Sequence, residues 1–142
     1  MLLLVPPAQV QEAPKPTAFQ VGQRALHEGR LPEARAHLEA WLALHPEDAD
    51  ALVAYGFTAL RQERVGLAEG TFRKALSLSP RYIDAQYGLG LVLLRLGKPT
   101  EAKAVLRGAL ADDPGRADVK EALGHALAAA PGAEDSLDDD EL

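Results

Sequence analysis

The 142-residue chain contains no cysteine. That absence excludes disulfides, thiolate catalysis and zinc–cysteine sites, and it is compatible with either redox compartment. Histidine is scarce: His27, His37, His45 and His125 are the four present. His27 and His45 fall near opposite helix ends and His37 falls on a second helix. No two are spaced i, i+4 on one helix, the arrangement that brings two imidazoles to one metal. Surface histidines are therefore expected, with no metal site. Ser77, Ser79 and Ser136 lie in no nucleophile-elbow context. Gly88-Leu89-Gly90 opens like a phosphate loop but sits inside a helical pattern, where glycine permits close packing. No catalytic constellation and no cofactor are expected, so the chain does not read as an enzyme.

A basic face is also missing. The formal net charge is −6, and it is concentrated at one end. Glu134, Asp135, Asp138, Asp139, Asp140 and Glu141 supply six acids with no base among them. Removing these six from the 21 acidic residues leaves 15 against 15 basic ones, so positions 1–133 are neutral. A nucleic-acid partner needs a basic patch or stripe, and none is expected here. Residues 131–142 read as an acidic, solvated tail; Asp139-Asp140-Glu141-Leu142 is close to a retrieval signal but lacks its lysine or histidine.

No run is long and apolar enough to span a membrane. Met1-Leu2-Leu3-Leu4-Val5 hints at the end of an export signal, but it has no basic leader and falls short of the usual apolar length. A cytoplasmic location is expected, or a periplasmic or exported one if that segment is a trimmed signal. Pro6, Pro7, Pro14 and Pro16 make residues 1–16 an extended arm. The chain could also be one module of a longer protein. Hydrophobic residues at 47% and charged residues at 25% are those of an ordinary globular domain. Arginine outnumbers lysine and alanine is abundant, which points to a bacterial coding sequence.

What the chain has is a period. Gly22, Gly56, Gly90 and Gly124 are 34 residues apart, as are Pro46, Pro80 and Pro114, and as are Ala34, Ala68 and Ala102. From Thr17 to Leu44 the apolar residues fall at helical spacing, interrupted at Gly29-Arg30-Leu31-Pro32. Glycine there suits the left-handed residue that ends one helix, and proline suits the first turn of the next. Leu52, Tyr55, Ala59, Ala68, Phe72, Ala75 and Leu76 repeat the pattern, and Leu89, Leu93, Ala102, Leu106, Ala109 and Leu110 repeat it again. Each proline of the series closes a second helix. The unit is an antiparallel helix pair whose small residues allow close crossing. After Pro114, Ala117 to Ala130 forms one more amphipathic stretch with no partner helix.

The pattern resembles the tetratricopeptide repeat family, whose unit is a helix pair of 34 residues. The resemblance rests on Gly22, Gly56 and Gly90 in the first helices, and on Ala34, Ala68 and Ala102 in the second. Leu38, Phe72 and Leu106 match its large apolar position, and Pro46, Pro80 and Pro114 its closing proline. It implies an all-α solenoid: repeats at about 15–48, 49–82 and 83–116, a capping helix at 117–130, and a helical domain over 17–130. Three departures stand out. Ala18, Leu52 and Gln86 replace the signature's first aromatic, and Trp41 stands where alanine is usual. Glu63 stands where the other units have Gly29 and Gly97, which predicts a different turn there, built around Gly66.

The resemblance also implies a concave groove lined by the first helices. Its lining positions are Phe19 and Gln23, Val53 and Phe57, and Tyr87 and Leu91, with Leu26, Leu60 and Leu94 one turn further along. Apolar residues there predict a peptide-binding groove. Packing between first helices, occupation by the proline-rich arm and self-association are the competing readings. The family's carboxylate-clamp specialisation, which grips acidic chaperone tails, would require basic residues or asparagine at Phe19, Gln23, Ala54, Asp84 and Gly88, and none fits. The chain is similar in size, acidity and repeat number to the class II chaperones of type III secretion. The expected function is a non-enzymatic adaptor, scaffold or co-chaperone binding an apolar segment of a protein partner. The alternatives are a secretion chaperone or a self-associating structural scaffold, the latter a possible homo-oligomer.

Overall fold

The computed structural model describes residues 14–130; residues 1–13 of the arm and the whole acidic tail lie outside that range. Seven helices and no strand occur among the described residues: α1 (Ala18–His27), α2 (Leu31–Leu44), α3 (Ala49–Arg61), α4 (Val65–Leu78), α5 (Ile83–Arg95), α6 (Pro99–Asp112) and α7 (Ala117–Ala129). α1, α3 and α5 each pack against the even-numbered helix that follows, and α7 packs against α6. α1, α3, α5 and α7 then pack in succession to form one face of an all-α solenoid.

The hairpin turns explain why each helix pair forms. Past the end of α1, Gly29 takes φ +78°. The Gly29 amide donates to the Leu26 carbonyl at 3.1 Å and the Arg30 amide to the Ala25 carbonyl at 2.8 Å. That is the double bond pattern of a Schellman ending, which needs a left-handed residue. The same two bonds recur after α5 around Gly97 (φ +72°). They also recur after α3, where the left-handed residue is Glu63 itself at φ +59°. The expected alternative turn at Gly66 is therefore incorrect: Gly66 is the second residue of α4. The hairpin geometry is common to all three units, and Glu63 is drawn into it although a side chain there is disfavoured. Arg95 clasps the Glu63 carboxylate with bonds of 2.7 and 2.6 Å from across the next repeat.

Between units, helices α2, α4 and α6 end two residues before the periodic proline. The amides of Asp48, Tyr82 and Arg116 donate back to His45, Ser79 and Asp113 at 3.1–3.4 Å. Each proline thus occupies the second position of a tight turn, where its fixed φ is favourable.

The 34-residue glycines are where first and second helices touch. A Cβ on Gly22 would meet Leu38 at 2.7 Å, on Gly56 Phe72 at 2.7 Å, and on Gly90 Leu106 at 2.4 Å. Gly88 meets Phe72 from the other side at 2.3 Å, so the glycine pair that imitates a phosphate loop is a packing contact. Gly124 meets nothing within 4 Å, and among the described residues no helix follows α7. Val119, Ala122 and Ala126 of α7 are instead buried against the third repeat. The core divides in two: a large cluster from α3 to α7 centred on Phe72, Leu93 and Leu106, and a small one between the first repeat and α3 made of Ala25, Ala34, Leu38 and Ala54.

Candidate peptide-binding groove

A cavity of about 450 Å³ opens on the face made by α1, α3 and α5. Its apolar floor is Leu26, Val53, Ala54 and Phe57, and Gln23, His27, Asp50, Arg61, Tyr82 and Asp84 complete the lining. The floor lies over the seam between the two core clusters. Leu26 and Ala54 belong with the small one, Val53 and Phe57 with the large one. On α3 the spacing from Val53 to Phe57 to Leu60 is one helical stripe, so the residues that seal the stack also floor the cavity.

Gln23, Leu26, Val53 and Phe57 are brought together as the sequence predicts. The other five positions take different surroundings. Phe19 stacks on Trp41 of α2, ring centroids 6.0 Å apart. Leu60 is buried within the large cluster. Tyr87, Leu91 and Leu94 are half-buried against that same cluster. Phe57 meets Phe72 edge-on at 5.0 Å and lies 6.2 Å from Tyr87, so an aromatic row continues from the cavity towards α5. Trp41 fills space that alanine would leave: besides Phe19 it covers His45 at 4.0 Å, and its indole N–H donates to Asp48 at 2.9 Å.

The polar rim escaped the sequence reading. Asp50, Asp84 and Asp118 are 34 residues apart, and each is in the first turn of its helix, α3, α5 or α7. His27, Arg61 and Arg95 form a second such series, each in the last turn of α1, α3 or α5. Acids at helix N-termini and bases at C-termini both suit the helix dipole. Because α1, α3, α5 and α7 run in the same direction, the three acids gather along one edge of the face and the three bases along the other.

Both edges are cross-linked between repeats. The Tyr82 hydroxyl donates to Asp50. Arg116 pairs with Asp84 at 2.9 Å and with Asp118 at 2.8 Å. Its hydrogen bond holds the Asp118 carboxyl below the usual range. Burial, followed by the bond to Asp50, pushes the Tyr82 phenol strongly upward. At the other edge Arg61 donates to the Leu26 carbonyl at 2.8 Å. Among the described residues no group of three or more metal-ligating side chains is gathered.

Family models of the tetratricopeptide repeat match residues 59–130 and residues 20–83. The chain belongs to the tetratricopeptide repeat family. Its fold is shared by the first tetratricopeptide repeat domain of Spaghetti (RPAP3), solved with the HSP90 peptide SRMEEVD. The TM-score is 0.75 at 20% identity, over 79% of this chain and 89% of that one. The TPR2B domain of yeast Sti1, in a complex described as pHsp70, gives a TM-score of 0.75 at 16% identity, over 80% and 95%. MamA from Desulfovibrio magneticus RS-1, residues 41 to the end, is 28% identical with a TM-score of 0.71, over 79% of this chain and 63% of that one. No curated protein matches by sequence. A tetratricopeptide repeat protein of this kind is a protein-interaction module.

Proposed function

We propose that this tetratricopeptide repeat protein is a non-enzymatic adaptor, scaffold or co-chaperone whose α1–α3–α5 face, within a domain spanning residues 17–130, holds an apolar segment of a protein partner. The observation that carries the reading is the cavity floored by Leu26, Val53 and Phe57. Those side chains belong to the core yet leave an apolar surface open between repeats. A secretion chaperone of the class II kind is the narrower form of the same reading. No helix among the described residues is long and apolar enough to cross a membrane, and the proposed location is the cytoplasm.

The neighbours solved with HSP90 or Hsp70 partners support a peptide in a groove as the mode of use. They do not support the same peptide. The positions that would clamp its carboxylates are Phe19, Gln23, Ala54, Asp84 and Gly88, and Gly88 is closed off by Phe72. Asp84 adds a negative charge to the cavity lining.

Self-association is the second reading, favoured by Leu44 and Leu78. They end α2 and α4 at equivalent positions and are 78% and 41% exposed. Affinity capture from native lysate separates the two, using wild type beside Phe57→Glu and beside Gln23→Lys, which alters the lining from an exposed position. Circular dichroism checks that each variant folds. A partner retained by wild type and lost by both variants is expected. Equal retention by all three, or recovery of this chain alone, would overturn the groove reading.

A further inference from the structure

The electrostatics of the cavity rim define the partner segment more closely. Along the acid edge stand three carboxylates, Asp50, Asp84 and Asp118, and Arg116 is the cation paired to them, through Asp84 and Asp118. Asp50 accepts from a neutral hydroxyl, that of Tyr82, and is paired to no cation where it lines the cavity beside the apolar floor. The base edge carries Arg61 and Arg95, and Arg61 lines the same cavity. Arg95 is bound to Glu63, and Arg61 is turned onto a backbone carbonyl. The first-turn location makes these carboxylates tolerable in each helix. It is the parallel stacking of α3, α5 and α7 that aligns them in one row, with Asp50 and Asp84 in the same cavity lining as Phe57 and Val53.

We propose that the groove selects an apolar segment carrying lysine or arginine on the side that lies against Asp50 and Asp84, the opposite charge preference to an acidic chaperone tail. The apolar side chains would seat over Leu26, Val53 and Phe57, and the cation would reach the Asp50 carboxylate past Tyr82. This rests on the groove reading above, and the two are separable. The floor supplies apolar affinity whatever the rim does. The rim governs which flanking charge is accepted and how fast it is captured.

The test is selection of a random-peptide phage library on the immobilised full chain, followed by titration of the leading end-blocked peptide. Apolar peptides flanked by lysine or arginine should be enriched. Asp50→Asn combined with Asp84→Asn should keep the apolar enrichment and lose the basic one. Asp50→Asn alone, whose amide oxygen still accepts from Tyr82, should weaken the leading peptide about threefold at low salt, the size expected of one exposed charge pair. That difference should close at high salt. Enrichment of apolar peptides with neutral or acidic flanks would overturn the charge preference while leaving the groove intact. No enrichment, or enrichment that survives Phe57→Glu, would overturn both.

Discussion

Phe72 is held between two glycines from successive repeats, Gly56 in its own unit and Gly88 in the next, with its ring wholly buried. A methyl group at Gly88 would stand 2.3 Å from that ring, too close for either to keep its place. Gly88→Ala should therefore lower stability by about 1–3 kcal/mol through overpacking, while Gly124→Ala, in open space, should not lower it. Denaturant unfolding of the two variants checks this. Glu63 gives the opposite sign. It holds a left-handed backbone that Gly29 and Gly97 take freely, and its ion pair with Arg95 is exposed. Glu63→Gly should raise stability by up to about 1 kcal/mol, since the backbone relief exceeds the value of a surface pair; a lower thermal midpoint would show that the Arg95 clasp dominates. The sequence marked Glu63 as the odd residue of its series, but the different turn expected from it, around Gly66, does not form. Shared hairpin geometry outweighs the side chain's local preference.

At the scale of the element, the three helix pairs were legible because glycine, alanine, a large apolar residue and proline each recur at the same interval. α7 was legible from its apolar stripe after Pro114. Its fully buried Val119 and Ala126 cover the third repeat, and Lys103 of α6 donates to the Ala130 carbonyl just past its end at 2.7 Å. Ending the chain after Arg116 should cost at least about 3 kcal/mol from these side chains alone and should promote association through the bared face. Ending it after Ala130 should cost little. Unfolding midpoints and solution mass of the two truncations distinguish a cap from an appendage. The groove was less legible than the helices. Positions such as Phe19 and Leu60 share the helical face of Phe57, but neighbouring rings and helices claim their side chains, which depends on packing across repeats. The Asp50, Asp84, Asp118 series and the His27, Arg61, Arg95 series were present in the same period. They escaped the sequence reading, because only the parallel stacking of the helices places them in rows.

For the whole molecule, the seams between repeats matter most, and the tyrosines report on them. All three, Tyr55, Tyr82 and Tyr87, have phenols raised above the ordinary value of 10.0, each first by burial. A raised folded value means the native state keeps protons that the unfolded chain releases. Their contribution is complete below about pH 10 and declines as pH rises above it. Phenolate absorbance and loss of helix should therefore appear together on alkaline titration. Phenolate forming while the helix signal is intact would contradict the burial.

The account centres on the α1–α3–α5 face as the place where a peptide segment is held. Amide chemical-shift mapping with a selected basic–apolar peptide tests this most directly. Shifts are expected to concentrate at Gln23, Leu26, His27, Asp50, Val53 and Phe57, with α2 and α4 residues such as Glu33 and Lys74 unmoved. Shifts centred on Leu44 and Leu78, or on the outer surface of α4, would contradict it.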